Sequence, residues 1–196
     1  MQINNAPQRS KEWFEVRALR LTASHAQAIA ANGKGLVTYV EKKMSEYYSS
    51  AERENYTNKD MERGIELEPQ AIMAYSFTKN IEVDSVGFVI YSDFVGCSPD
   101  GIAGEDGLVE VKCPSDSVYF KLLQDEKIDS KYEKQMQMQM LICNKRWTDY
   151  VVYNPNYEKY LFVKRVFPDP EVFEKLKKGF KAGEEMIKKI MDKMEG

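Results

Sequence analysis

Between residues 81 and 113 the chain reads as extended segments, and segments of helical period flank that stretch on both sides. This constrains the fold more than any other feature. Upstream, Ser10 has the character of an N-cap for a helix carrying Trp13, Val16 and Arg17, with Arg20 near its end. A second short helix is expected over 22–31, before Asn32-Gly33, and a third over 36–50. A fourth is expected over 60–78, interrupted at Gly64 and Pro69 because glycine is a weak helix former and proline breaks the hydrogen-bond ladder. Downstream, 115–124 reads as helix, and 147–154 and 160–167 as strands joined by an Asn154-Pro155-Asn156 turn. The chain closes on an amphipathic helix whose apolar stripe is Phe173, Leu176, Phe180, Ile187 and Met191. Such a chain is of the α/β class. With no repeat, linker or low-complexity block, it reads as a single domain over residues 1–196.

The alternating run Gln135-Met136-Gln137-Met138-Gln139-Met140 has strand periodicity, yet Met and Gln are good helix formers and no β-branched residue appears before Ile142. It is therefore assigned to helix. One turn apart, Gln135 and Gln139 are placed to hydrogen-bond water or phosphate; the alternative is a Met-rich packing face.

The chemistry concentrates in Ser98-Pro99-Asp100-Gly101 and, ten residues after Asp100, Glu110-Val111-Lys112. Gly101, Gly104 and Gly107 mark a reversal between extended runs at 88–98 and 108–113, so a hairpin should set Asp100 across from Glu110. Side chains alternate along a strand, which puts Glu110 and Lys112 on one face and Val109 and Val111 on the other, in a core. Two carboxylates on one face call for a divalent cation. Mg²⁺ fits, because it takes one or two carboxylates and leaves room for waters and phosphate oxygens. Such an ion would polarise a phosphodiester and acidify a bound water, with Lys112 orienting that water or offsetting developing charge. The competing reading is an exposed hairpin with an ordinary Glu/Lys pattern.

Composition bounds the partners. With 43% hydrophobic and 30% charged residues the chain reads as globular, and no apolar run approaches a membrane span. The polar opening Met1-Gln2-Ile3-Asn4-Asn5 lacks the apolar core of a secretory signal, so the expected compartment is the cytoplasm. Cys97, Cys113 and Cys143 are odd in number and lack a C-x-x-C, which argues against a disulfide framework or zinc site and for buried thiols. A net charge of −3 is unusual for a DNA-binding protein, but metal-binding carboxylates contribute to it, and a local basic track suffices for a threaded substrate.

Four motifs in order resemble the phage lambda-type alkaline exonucleases, also called YqaJ-like viral recombinases, within the PD-(D/E)xK nuclease superfamily. They are Trp13-x-x-x-Arg17 with Thr22-Ala23-Ser24; Arg63-Gly64-x-x-x-Glu68; Cys97-Ser98-Pro99-Asp100-Gly101 with Glu110-Val111-Lys112-Cys113-Pro114; and Tyr132-x-x-Gln135-x-Gln137, the match running from about Trp13 through Phe167. The resemblance implies a restriction-endonuclease-like core, a central mixed sheet flanked by helices with the metal site at one end. It implies that Asp100, Glu110 and the Val111 carbonyl bind two Mg²⁺ ions, with Mn²⁺ able to substitute, and that Lys112 lies beside the attacking water. Glu68 matches a helical glutamate at the metal site, acting directly or through water, and Gln135 a glutamine that helps complete it. Arg17 and Ser24 match residues that hold the 5′-phosphate of the digested strand. The implied activity is 5′→3′ digestion of linear double-stranded DNA from a 5′-phosphorylated end, releasing mononucleotides and leaving a 3′ overhang. The implied partners are a homotrimeric assembly and a single-strand annealing protein.

Plainer readings stand beside these. Arg17 and Arg20 could be solvated helix charges, Ser24 a cap, Glu68 part of a surface kink before Pro69, and His25 a packed or exposed residue. The lysines between 175 and 189 read as the wet face of the last helix. Two other functions fit the same residues: a structure- or sequence-specific endonuclease, and a non-catalytic module that binds DNA or a recombination partner.

Overall fold

The computed structural model describes residues 2–50 and 59–196. Along the chain run β1 (Gln2–Asn4), α1 (Lys11–Arg17), β2 (Leu21–Thr22), a 3-10 turn (Ala23–His25), α2 (Ala26–Ala31), α3 (Lys34–Tyr48) and α4 (Lys59–Lys79). There follow β3 (Val83–Asp84), β4 (Phe88–Ser92), β5 (Val95–Cys97), β6 (Gly101–Ala103), β7 (Gly107–Lys112), α5 (Asp116–Asp125) and α6 (Ser130–Cys143). The last elements are β8 (Trp147–Tyr153), β9 (Leu161–Val166) and α7 (Pro170–Glu195).

The architecture is α/β, as expected, but the strands form two mixed sheets where one was anticipated. The five-stranded sheet has the order β3-β6-β7-β8-β9, with β7 and β8 parallel and the other pairs antiparallel. The second sheet has the order β1-β4-β5-β2. Residues 88–98 therefore do not pair with 108–113. They fold back on themselves as β4 and β5, with a register shift between Ile90 and Ser92, and the partner of β7 is the three-residue β6. Gly101 makes this close pairing feasible: a Cβ there would lie 2.4 Å from Val83 Cγ1 and 3.0 Å from Val109 Cγ2.

The five-stranded sheet is buried on both faces. On one, Leu67, Ala71 and Tyr75, at helical spacing along α4, pack on Val109, Val111, Val151 and Tyr153. On the other, Tyr119 of α5 and Met136 of α6 meet Tyr150, Val152 and Phe162. Met138, Met140 and Leu108 join the core shared with α2, α3, α7 and the second sheet. Helix α6 thus lies between layers, and every residue from 136 to 140 is buried. The Gln/Met alternation that mimics a strand is the composition of a helix with no wet face over that stretch.

The expected interruption of α4 is absent: the helix runs through Gly64 and Pro69 without a break. Proline removes one ladder bond, but the apolar face on either side of it remains docked on the sheet. The expected helix over 22–31 begins later, its first residues being spent on β2 and the 3-10 turn, and it ends on Asn32 in the left-handed conformation. The closing helix is capped by Asp169, whose carboxylate accepts the Glu171 and Val172 N–H groups ahead of Pro170. Its lysines 175–189 are exposed, as expected. Arg20 is not a loose surface charge, because it donates to the Val16 and Ser92 carbonyls and ties α1 to β4. The three cysteines are buried free thiols, with Cys97 and Cys143 sulfurs 3.7 Å apart. No described helix is long and apolar enough to cross a membrane.

Candidate active site

At one end of the five-stranded sheet, α4, β7 and the start of α6 enclose a cleft of about 640 Å³ whose lining includes Glu68, Asp100, Val111, Lys112 and Tyr132. The β6–β7 register pairs Gly101 with Val109, which sets Asp100 opposite Glu110 as the sequence suggested. The Asp100 carboxylate accepts the Val111 N–H at 2.7 Å, fixing the turn to the strand that bears Glu110 and Lys112.

Glu110 is fully buried, so the face it shares with Lys112 is the underside of α6 and not an open surface. Its charge is met from three sides. The Lys112 ammonium pairs with Oε1, Gln135 Nε2 donates to the same oxygen at 2.6 Å, and Gln139 Nε2 donates to Oε2 at 2.7 Å. The glutamines therefore hold a carboxylate, where a contact to water or phosphate was expected. The intervening Gln137 faces away: its amide donates to the Phe167 carbonyl and accepts the Asp169 N–H, each at 2.8 Å, pinning the link from β9 to α7.

Burial pushes the Asp100 carboxyl well above the usual carboxylate range, with the Glu110 and Glu68 charges adding to the effect and Lys112 and the Val111 N–H opposing it. Burial also works against the Lys112 ammonium, but Glu110 and Asp100 outweigh it and hold its pKa above the ordinary lysine value. Burial pushes the Cys113 thiol up to about 11. The cleft is thus short of positive charge where its carboxylates converge, and its donors are hard oxygens. That donor set suits a divalent cation of the Mg²⁺ type. Among the described residues no three His, Cys, Asp or Glu side chains cluster closely enough to hold a metal by themselves. An ion held by Asp100 and Glu110 would complete its shell from the Val111 carbonyl, water or substrate oxygens. Glu68 lines the same cleft from α4 but is ion-paired with Arg9 at 2.8 Å. Arg9, at positive φ before the first helix, carried no sequence signal.

A second, smaller pocket of about 230 Å³ contains Arg17 and Ser24 with Thr22, His25, Tyr39 and Lys43. Ser10 caps α1 by accepting the Trp13 N–H, and the Trp13 ring then carries the Arg17 guanidinium 4.0 Å from its centroid. The same indole donates to Ser98 Oγ at 2.9 Å, joining the first motif to the one that contains Asp100. Ser24 Oγ lies 3.3 Å from Thr22 Oγ1 and 3.2 Å from His25 Nδ1, and His25 stacks on Tyr39 with ring centroids 3.9 Å apart. Burial lowers the Arg17 pKa. Burial, with Lys43, Lys42 and Arg17 nearby, lowers that of His25. Arg17 and Ser24 therefore share a cationic pocket distinct from the carboxylate cleft. Tyr39, Lys42 and Lys43, which complete it from α3, were not anticipated.

A mixed sheet under helices on both faces, with two carboxylates and a lysine brought together at one end, has the architecture of the PD-(D/E)xK nuclease class. The model of the YqaJ-like viral recombinase domain matches residues 12–149, and the chain belongs to that family. The family match ends before β9, short of the Phe167 limit that the motifs suggested. Among solved structures, an alkaline exonuclease (LHK-Exo) from Laribacter hongkongensis superposes with a TM-score of 0.86 at 26% identity, over 95% of this chain and 96% of that one. The same enzyme in complex with dAMP gives 0.84 at 27% identity, over 94% and 98%. A phage-related exonuclease from Haemophilus somnus 129PT shares the fold, with a TM-score of 0.67 at 16% identity over 90% and 96%. No curated protein matches the chain significantly in sequence.

Proposed function

We propose that the chain is a single-domain, Mg²⁺-dependent 5′→3′ exonuclease that degrades one strand of linear double-stranded DNA, releasing mononucleotides and leaving a 3′ overhang. The observation that carries this reading is the pairing of a carboxylate and lysine cleft with a separate cationic pocket, since an enzyme that cuts internally has no need to grip a terminal phosphate. The dAMP complex of LHK-Exo, a structural relative, supports a nucleotide product.

Each residue then has a defined task. Asp100, Glu110 and the Val111 carbonyl hold the metal, with Glu68 acting directly or through water. Bound Mg²⁺, as one or two ions and with Mn²⁺ as a substitute, would polarise the phosphodiester and acidify a water. Lys112, whose ammonium is favoured by the Glu110 and Asp100 charges, orients the water and offsets charge that develops on the phosphate. Gln135 and Gln139 position Glu110. Arg17 grips the terminal 5′-phosphate, and the Ser24 hydroxyl adds a hydrogen bond. Assembly as a homotrimer, transfer of the exposed strand to a single-strand annealing protein, and action in the cytoplasm of a bacterial host extend this reading on family resemblance.

The test is time-resolved digestion of a linear duplex phosphorylated on one 5′ end, in Mg²⁺ or EDTA, with a closed circle as control. The expected result is metal-dependent loss of the phosphorylated strand alone, abolished by Lys112→Ala with DNA binding retained. Cleavage of the circle would make the protein an endonuclease. DNA binding without cleavage under any metal would make it a binding module.

A further inference from the structure

His25, the only histidine of the chain, stands beside Ser24 in the cationic pocket and has no task in the reading above. Its ring lies flat on that of Tyr39 from α3, with centroids 3.9 Å apart and planes 6° from parallel, and this contact holds the imidazole in place. Its Nδ1 sits 3.2 Å from Ser24 Oγ. Ser24 Oγ is also 3.3 Å from Thr22 Oγ1, which in turn is 3.2 Å from the Tyr39 hydroxyl, and that hydroxyl accepts the Thr22 N–H at 3.1 Å. Tyr39, Thr22, Ser24 and His25 thus form a chain of polar groups that begins and ends on the two stacked rings.

The lysines of this pocket do not distinguish one phosphate from another. Lys43 donates to the Arg17 and Ala18 carbonyls, Lys42 lies 3.9 Å from Glu46, and an ammonium acts on any phosphate as a point charge. Discrimination at a strand end needs a directional donor. A terminal phosphate dianion only accepts hydrogen bonds, whereas a 5′-hydroxyl both accepts and donates. Ser24 has a single proton to give. With Nδ1 bare, His25 takes that proton, and Ser24 turns a lone pair towards the phosphate. With hydrogen on Nδ1, His25 donates to Ser24 Oγ, and the Ser24 proton points into the pocket. Either a neutral ring with its hydrogen on Nδ1 or a cationic ring meets this condition. The rest of the chain agrees with that direction: the Tyr39 hydroxyl accepts from the Thr22 N–H and gives its proton to Thr22 Oγ1, which leaves Thr22 to donate to Ser24.

We infer that His25 determines end specificity through Ser24: with its hydrogen on Nδ1 it turns the Ser24 hydroxyl outward as a donor, and so selects a 5′-phosphorylated DNA end over a 5′-hydroxyl one. His25 is a positioning residue that acts on Ser24, and Tyr39 holds its ring for that purpose. Arg17 supplies charge to the pocket, and the His25–Ser24 pair supplies direction. The inference rests on the placement of the terminal phosphate at Arg17 and Ser24.

The test is competition for the full chain, read by fluorescence anisotropy in EDTA so that nothing is cleaved, between short blunt duplexes that differ only in carrying a 5′-phosphate or a 5′-hydroxyl. His25→Phe keeps a ring against Tyr39 but removes Nδ1, and should lower the preference for the phosphorylated end about fivefold to tenfold, the effect of one hydrogen bond. His25→Gln, whose amide reaches the position of Nε2, should lose as much and serves if the Phe variant does not fold. His25→Asn, whose amide nitrogen takes the position of Nδ1, should restore most of the preference. In a Ser24→Ala background, His25→Phe should have no further effect, because the partner through which His25 acts is gone. An unchanged preference in His25→Phe and His25→Gln overturns the inference, as does a loss in His25→Asn equal to theirs, or an undiminished effect of His25→Phe in the Ser24→Ala background. A wild type that does not prefer the phosphorylated end removes the phosphate pocket and the inference together. A preference that survives every change at His25 removes the inference alone. Digestion in Mg²⁺ is scored separately, since failure to cleave bears on the nuclease reading and not on this preference in binding.

Discussion

Replacing Lys112 by Met tests whether the buried Glu110 carboxylate depends on its ammonium partner. Glu110 is fully buried, and Lys112 supplies its only directly paired positive charge among the described residues, with a side chain 27% exposed. Breaking one side of a buried pair costs about 3–5 kcal/mol. The amides of Gln135 and Gln139 remain, and hydrogen bonds to a charged group contribute about 1.5–3 kcal/mol each, so Glu110 is not left bare. Water reaching the partly open end of Lys112 offsets more, which leaves an expected loss of about 2–3 kcal/mol. Urea denaturation at pH 8 in EDTA reads this directly. The double variant Lys112→Met with Glu110→Gln should recover much of the loss, and cleavage should be absent in both. Equal stability of wild type and Lys112→Met at pH 8 in EDTA would refute the argument, since it would mean that Glu110 does not rely on Lys112 for its charge.

Other expectations follow from the same geometry. In EDTA the raised Asp100 pKa gives a penalty that is absent below the unfolded value of about 3.9 and grows as pH rises towards the folded one; Asp100→Asn should therefore flatten this part of the stability–pH curve, and an unchanged curve would count against a buried, charged Asp100. At a Mg²⁺ concentration one hundred times its dissociation constant, the wild type should gain about 2.7 kcal/mol in denaturation, and Asp100→Asn should lose that gain. Arg17→Ala should reduce the preference for 5′-phosphorylated over hydroxyl ends by roughly tenfold to a hundredfold, from about 1.5–3 kcal/mol for charged hydrogen bonds, with competition between the two ends as the assay. Gly179→Ala should destabilise by at least about 1–3 kcal/mol, the usual cost of overpacking, because its Cβ would lie 2.0 Å from the Ile29 carbonyl oxygen at the crossing of α2 and α7; a thermal midpoint like that of the wild type would refute that close approach.

Features set by neighbours along the chain were legible in the sequence. Ser10 as a cap, the α/β order, the helical nature of residues 135–140 and the facing of Asp100 to Glu110 follow from helical periodicity, capping chemistry and a turn a few residues long. The motifs around Arg17, Asp100 and Glu110 likewise identified the family later matched over residues 12–149. Local patterns misled where packing prevailed. Pro69 marked a break that docking of α4 on the sheet removes, and residues 88–98 marked a partner for β7 that belongs to the second sheet. Other features had no local signal. The Arg9–Glu68 pair spans 59 positions, and the Trp13–Ser98 bond spans 85. The division of three alternating glutamines, two onto Glu110 and one onto the link before α7, depends on what stands on either side of α6. The sequence by itself determined which chemical groups are present and how each stands relative to residues a turn or a hairpin away, because short loops cost little entropy to close and leave few arrangements. Only the tertiary structure decided which distant groups meet and which charges lose their water, because burial and pairing depend on the packing of whole layers and not on any one segment.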